Sequence, residues 1–95
     1  MQTVRLGRTN LQVSKNGFGA LPIQRISMDE AVALLRRAYE GGIRYFDTAH
    51  VYSDSEEKLG CALHDVREHI ILSTKAMTTT VEGFWQQLHT SLQRL

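Results

Sequence analysis

Three short apolar runs alternate with longer segments whose apolar residues recur at helical spacing, and this alternation limits the fold more than any other feature. The runs lie at residues 16–21, 43–46 and 70–74. Strands that alternate with amphipathic helices imply parallel pairing joined by right-handed crossovers. The sequence therefore predicts an α/β fold with a parallel sheet, and its 95 residues suit one small domain.

Capping signals predict where the helices begin and end. An S-x-x-E capping box at residues 27–30 opens the first helix, and a T-x-x-E box at residues 79–82 opens the last. The glycines at 41–42 stand where the first helix needs a left-handed C-cap. Residues 53–57 offer several N-caps for the middle helix, which we expect to run to about Leu63.

The remaining segments complete the predicted architecture of a hairpin followed by three βα units. Thr3–Leu6 and Leu11–Ser14 partly alternate in polarity and flank turn residues, so they predict an N-terminal hairpin. Ile70–Thr74 is apolar enough for a strand buried on both faces. An open sheet of three strands leaves unpaired edges, which favour self-association.

One face of the last helix is predicted to join the core. Its apolar residues are Val81, Phe84, Trp85, Leu88, Leu92 and Leu95. If no further elements cover this helix, the same face is instead an exposed apolar surface.

Charge and cysteine content exclude several classes of protein. The chain has 11 Lys+Arg against 10 Asp+Glu, which predicts neither a nucleic-acid partner nor an anionic membrane surface. The single cysteine, Cys61, allows no internal disulfide and fits a reducing, cytoplasmic location. We interpret Cys61 as a small buried hydrophobe. The polar N-terminus does not resemble a signal peptide, and no run approaches the roughly 18 apolar residues of a membrane span.

Three of the four histidines indicate no metal site. His64, His69 and His89 lack the spacing of metal ligands, so we interpret them as surface or packing residues and predict no metal.

Two ionisable residues directly follow predicted strands, namely Asp47 and Lys75. Sites in parallel α/β folds collect at the carboxyl ends of strands, so neighbouring strands would bring these two side chains together. Tyr52 lies in the loop after Asp47. A phenol is a weak acid at neutral pH, and a nearby ammonium favours its ionised form. Such a trio could donate a proton to a carbonyl oxygen as hydride reaches the carbon.

A structural interpretation of the same residues is also open. Lys75 could be the solvated end of a strand, and Asp47 could cap the turn after it. Spacing alone does not choose between a catalytic trio and two such local roles.

The motifs around these residues resemble the aldo-keto reductase family. FDTAHVYSDSEEKLGCAL, followed by REHIILSTKA, is similar to the family's pattern of DTA, a Tyr, SExxLGxAL and a later strand ending in Lys. The opening LGRTNLQVSKNGFGALPIQ and the closing LHTSLQRL agree with the same family. The resemblance covers essentially the whole chain and looks closest to bacterial members with a C-terminal ferredoxin-type iron–sulfur segment.

The resemblance implies the N-terminal portion of a (β/α)8 TIM barrel that reduces small aldehydes and ketones with NADPH, less often NADH. By resemblance Tyr52 is the general acid, Lys75 tunes it and Asp47 holds Lys75. Further residues would contact the cofactor (Gly19, Ala20 and Asp47) or the substrate (His50 and Leu21). Glycines that ease the exit of a strand, and an exposed loop histidine, are the alternatives for Gly19 and His50.

The sequence departs from the family beyond the third βα unit. The family's catalytic His at the end of the fourth strand and its phosphate-binding segments have no counterpart among these 95 residues, whereas a whole barrel takes about 250 residues. We therefore expect the chain alone to be inactive. The alternative is a truncated, non-catalytic remnant that persists by oligomerising or by docking to a partner.

Overall fold

The computed structural model describes residues 1–95 and has the predicted order of elements. The strands are β1 (Thr3–Arg5), β2 (Gln12–Ser14), β3 (Phe18–Gly19), β4 (Tyr45–Asp47) and β5 (Ile71–Ser73). The helices are α1 (Met28–Glu40), α2 (Ser55–Leu63) and α3 (Val81–Arg94), with 3-10 helices at Leu21–Arg25 and His64–His69. The hairpin and three βα units are confirmed, and only the 3-10 helices lack a sequence prediction.

The strands form an antiparallel hairpin, β1-β2, and a parallel sheet in the order β3-β4-β5. In this parallel sheet Gly19 pairs with Asp47, and Asp47 pairs with Ser73. The last residues of all three strands therefore lie side by side at the carboxyl end of the sheet. This row is the platform on which the polar side chains described below are placed.

Local signals fix helix α1 as predicted. The Ser27 hydroxyl accepts a hydrogen bond from the Glu30 amide at 3.1 Å and donates one to the Glu30 carboxylate at 3.0 Å. At the other end Gly42 has a φ of +106°, the left-handed conformation that glycine adopts without strain. Both ends of α1 are thus satisfied by residues that the sequence identifies.

The capping box predicted at residues 79–82 is wrong by one residue. Thr80 is the N-cap, and its hydroxyl accepts from the Gly83 amide at 3.0 Å. The preceding turn decides this, because the Thr78 hydroxyl accepts from the Thr80 amide at 3.3 Å and leaves Thr80 extended. A side chain at Gly83 would collide with these two hydroxyls.

A single core fills the space between the parallel sheet and helices α1 and α2. Phe46 of β4 is fully buried at its centre, where burial of such a side chain contributes about 1.5–3 kcal/mol. The other members are Ala20, Ile23, Ala31, Leu35, Leu59, Ala62, Leu63 and Ile70. Helix α2 also approaches α3 closely, since Gly60 leaves no room for a Cβ beside the Arg94 carbonyl.

Three sequence predictions about packing are wrong. Strand β3 ends at Gly19 and not at Leu21, because Pro22 at the start of the Leu21–Arg25 helix cannot donate to a ladder. Cys61 is exposed, since the buried face of α2 passes through Leu59 and Ala62 instead. Strand β5 is half-buried, because it lies at the edge of the sheet and pairs only with β4.

Most of the apolar face of α3 is an exposed surface, and of its residues only Leu95 packs against the core. Val81, Phe84, Trp85 and Leu92 are all exposed, Leu92 to 68%. A cavity of about 460 Å³ opens between α3 and β5, lined in part by Leu72, Leu88 and Leu95. None of the three helices has the length and apolarity needed to cross a bilayer.

Candidate active site

Lys75 and Asp47 meet at the row of strand ends, as their positions in the sequence predict. The Lys75 Nζ lies 3.0 Å from Asp47 Oδ1 and 2.9 Å from Oδ2, and it donates to the Thr48 carbonyl at 2.7 Å. Both side chains remain about half exposed. The ammonium is therefore held by three oxygens of one neighbouring strand end while part of it faces outward.

The charge of Asp47 is stabilised by its neighbours. Partial burial raises the pKa of the Asp47 carboxyl, but hydrogen bonds from Lys75 and Ser73 and the Lys75 charge outweigh it, so the pKa lies below its ordinary value. Asp47 is thus a carboxylate throughout the neutral range, and it fixes the position of Lys75.

Tyr52 completes the predicted trio. The Lys75 Nζ lies 5.5 Å from the centroid of the Tyr52 ring. A turn holds the tyrosine there, with its amide bonded to the Ala49 carbonyl at 3.1 Å and its carbonyl accepting from Ser55 at 2.8 Å. The arrangement is suited to protonating a group bound above the strand ends.

His50 lies beside this trio and is half-buried, so it is not the exposed loop histidine of the alternative interpretation. Its amide donates to the Lys75 carbonyl at 3.0 Å. Its Nδ1 is buried without a hydrogen-bond partner and lies 3.8 Å from Glu56 Oε1. The contact of His50 with a substrate stays a prediction.

The three residues from the end of β3 onward differ in what they can contact. Beside Gly19, which pairs with Asp47, there is open space where a Cβ would project. Leu21 is exposed at the start of its 3-10 helix. Ala20 is fully buried, its amide donates to the main-chain carbonyl of Asp47 and its carbonyl accepts from the Ser55 hydroxyl. The contact of Ala20 with a cofactor stays a prediction.

The open space at Gly19, next to Asp47, leaves room for a cofactor to approach the strand ends, where these two residues would contact it. The contact of Leu21 with a substrate stays a prediction. No group of three or more histidine, cysteine, aspartate or glutamate side chains is arranged to hold a metal ion.

Sequence reasoning missed three buried polar residues at the start of α2. Ser55 bonds to the Ala20 carbonyl at 2.9 Å and to the Thr48 hydroxyl at 2.8 Å. Lys58 is 2% exposed, and its Nζ donates to the Ile23 carbonyl at 2.9 Å, to the Ile26 carbonyl at 2.7 Å and to Asp54 at 2.9 Å.

The third missed residue is Glu56, whose carboxylate is 1% exposed. It accepts from the Thr74 hydroxyl at 2.7 Å and from Arg94 at 3.3 Å. The missed signal was the helical period: Ser55 lies four residues before Leu59, Glu56 three before Leu59, and Lys58 four before Ala62, so all three fall on the buried face of α2.

Comparison with known proteins agrees with this geometry. The model of the Aldo/keto reductase family matches residues 15–95. The chain is 42% identical over 79 residues to the L-galactose dehydrogenase of Arabidopsis thaliana, covering 74% of this chain and 25% of that protein. It is 40% identical over 76 residues to the pyridoxal 4-dehydrogenase of Microbacterium luteolum, covering 74% and 22%. The chain thus spans about a quarter of the length of these relatives.

Solved structures show the same likeness. A holo form of an aldo-keto reductase from Bacillus halodurans superposes on this chain with a TM-score of 0.88 at 30% identity. The match covers 100% of this chain and 36% of that one. The hairpin and the three βα units therefore correspond to part of a (β/α)8 barrel. By its sequence motifs, its fold and the placement of Asp47, Tyr52 and Lys75, the chain belongs to the aldo-keto reductase family.

Proposed function

We propose that the polypeptide carrying this chain is an oxidoreductase that reduces a small aldehyde or ketone with NADPH, NADH being the second possibility. One observation carries the proposal: the Lys75 Nζ is bonded to Asp47 at 2.9 Å and lies 5.5 Å from the Tyr52 ring, at the carboxyl ends of parallel strands. The arrangement supports Tyr52 as a proton donor with Lys75 and Asp47 as its supporting charges, at the carboxyl ends of the strands, where such folds bind substrates.

The cofactor supplies hydride when it is bound. Gly19, Ala20 and Asp47 would contact the cofactor at the strand ends, where Gly19 leaves open space. His50 and Leu21 would contact the substrate and keep its carbonyl oxygen near Tyr52.

Tyr52 gives its hydroxyl proton to the carbonyl oxygen, which becomes the alcohol, and it is left as a phenolate. The Lys75 ammonium stabilises that phenolate, because an opposite charge nearby favours the ionised form. Asp47 does not exchange the proton but keeps Lys75 in place through both carboxylate oxygens. Each residue of the trio thus has one role in one proton transfer.

The substitution Tyr52→Phe in the full-length polypeptide tests this proposal. We expect carbonyl reduction to fall about 10²–10⁴-fold, the usual contribution of a positioned proton donor, while NADPH binding measured by cofactor fluorescence stays within twofold. Tyr39→Phe is the matched control, because Tyr39 stacks on Arg44 away from the strand ends. Turnover of Tyr52→Phe equal to that of the control would contradict the role given to Tyr52.

We also propose that residues 1–95 alone reduce no carbonyl. The support is that the histidine and the phosphate-binding segments implied by the family lie outside these residues, and positioning of both reactants supplies much of a rate enhancement. A steady-state assay of the isolated chain with NADPH and a panel of small aldehydes tests this, and measurable turnover would disprove it.

The exposed face of α3 favours association as a second function of the chain. Val81, Phe84, Trp85 and Leu92 form an apolar surface beside the open edge of β5, and such surfaces mark contacts between proteins. Sedimentation of the chain over a hundredfold concentration range tests it. We expect assembly that does not require NADPH, and a strictly monomeric chain would refute it. The single exposed cysteine, Cys61, is compatible with the reducing cytoplasm that we propose as its location.

A further inference from the structure

We propose that Glu56 is a positioning residue of this site, whose buried carboxylate holds His50 and the strand end that bears Lys75. The inference rests on the proposed function, since it concerns how the proton-donating site is kept in order. Glu56 is the second residue of α2, and its hydrogen bonds and ion pairs are with Thr74, Arg94 and His50 and not with the trio.

The carboxylate of Glu56 is fixed in one orientation. It is 1% exposed, and a buried charge is stable only where it is paired and hydrogen-bonded. Oε2 accepts from the Thr74 hydroxyl at 2.7 Å, and Oε1 accepts from Arg94 at 3.3 Å. These two bonds tie α2 to the end of β5 and to the last turn of α3.

The segment that bears Lys75 and the loop that bears His50 both contact this carboxylate. Thr74 immediately precedes Lys75, so its bond to Glu56 restrains the backbone from which the lysine extends. His50 is bonded through its amide to the Lys75 carbonyl at 3.0 Å, and its ring faces Glu56. Loss of the carboxylate would therefore release the lysine segment and the histidine loop together.

The unpaired Nδ1 of His50 is the most direct evidence that Glu56 positions this histidine. Its Nδ1 is the only buried side-chain nitrogen or oxygen without a hydrogen-bond partner in the chain, and an unpaired buried polar atom is costly. The one carboxylate within reach is Glu56, 3.8 Å away, and a movement of roughly 1 Å would close a hydrogen bond. A proton held on Nδ1 by Glu56 leaves Nε2 free to meet the substrate.

A pair of neighbouring glutamates provides the test. Glu56→Gln and Glu57→Gln each remove one negative charge from the first turn of α2, but Glu57 is 51% exposed and lies 3.7 Å from its nearest partner, Arg94. In the full-length polypeptide we expect Glu56→Gln to lower kcat/KM by at least about tenfold through kcat, with NADPH affinity unchanged. Glu57→Gln should keep wild-type values.

A second readout does not depend on turnover. Nitrogen-15 NMR of the histidine rings, with the His50 signals assigned from a His50→Gln variant, reports which nitrogen carries the proton. We expect the wild type and Glu57→Gln to hold the proton on Nδ1, and Glu56→Gln to lose that preference, since a neutral amide accepts less strongly than a carboxylate.

The outcomes separate the two proposals. A wild type without carbonyl reduction overturns the proposed function, while the histidine spectra still decide the Glu56 contact. Equal rates and equal His50 spectra for the two glutamine variants overturn the role of Glu56. If Glu56→Gln does not fold, Thr74→Val removes only the hydroxyl bonded to Glu56. It should lower kcat in the same direction, and an unchanged kcat would overturn the inference.

Discussion

The buried lysine of α2 allows a stability prediction that can be worked out from individual bonds. Lys58→Met keeps the length and the apolar stem of the side chain but removes the ammonium. Two carbonyls in the segment after β3 then lose a donor. Ile26 O has no other donor in the chain, whereas Ile23 O keeps a long bond of 3.4 Å from the Ile26 amide.

These two acceptors set the size of the loss in stability. A buried acceptor left without a partner costs about 1–3 kcal/mol. Ile26 O is only part-buried and Ile23 O keeps its long bond, so each bears part of this cost. Removal of the buried charge returns part of this, because an ammonium 2% exposed carries its own desolvation penalty. We expect a net loss of about 1–2 kcal/mol, a measurable share of the 5–15 kcal/mol typical of a domain.

Urea unfolding followed by circular dichroism measures this loss, provided that the slope of the transition is unchanged. Asp54→Asn is the control, since it removes the exposed partner of Lys58 and leaves both carbonyl bonds in place. A Lys58→Met midpoint equal to that of Asp54→Asn would refute the reasoning. It would mean that the two carbonyls find other donors and that Lys58 does not hold the 3-10 helix bearing Leu21.

Two other predictions concern the pH range of the site and the contact between α2 and α3. Because the pKa of Asp47 is lowered in the folded state, its pairing stabilises the protein above the ordinary aspartate pKa and is lost as pH falls through the folded value. The difference in unfolding free energy between wild type and Asp47→Asn should therefore be constant from pH 7 to 5 and shrink below about pH 4. It should stay under about 1 kcal/mol because the pair is half exposed; an undiminished difference at pH 3 would contradict the linkage. Gly60→Ala places a methyl group against the Arg94 carbonyl and should cost about 1–3 kcal/mol, whereas Gly19→Ala enters open space and should not change the thermal midpoint. Equal midpoints for the two alanine variants would show that α2 and α3 do not meet at Gly60.

Much of the fold and the core of the site can be predicted from local sequence. The Ser27–Glu30 box and Gly42 bound α1 through bonds within a few residues of one another, so no knowledge of tertiary structure was needed. The pairing of Asp47 with Lys75 is a consequence of strand order alone, because parallel neighbours end at the same edge. The positions of these residues therefore depend on a single helix or on one pair of adjacent strands.

The residues that escaped prediction depend on contacts far apart in the chain. Glu56 is held by hydrogen bonds to Thr74 and Arg94, and Lys58 by bonds to carbonyls near residue 25. The neighbouring sequence therefore gives no signal of their burial except their position in the helical period. The helical period also explains why Cys61 is exposed. Its apolar neighbours in the sequence suggested burial, but Cys61 lies on the outer side of α2. Burial of the α3 face depends on elements that could cover it, which a helical pattern does not specify.

The strand order β3-β4-β5 is also the order in which the strands are synthesised. Each strand can pair with the one made just before it, so a chain leaving the ribosome can add one βα unit at a time without closing a long loop. At every stage the newest strand has an unpaired edge and the newest helix an uncovered apolar face, as β5 and α3 have here. We expect ribosome-bound chains of this length to recruit chaperones through the α3 face.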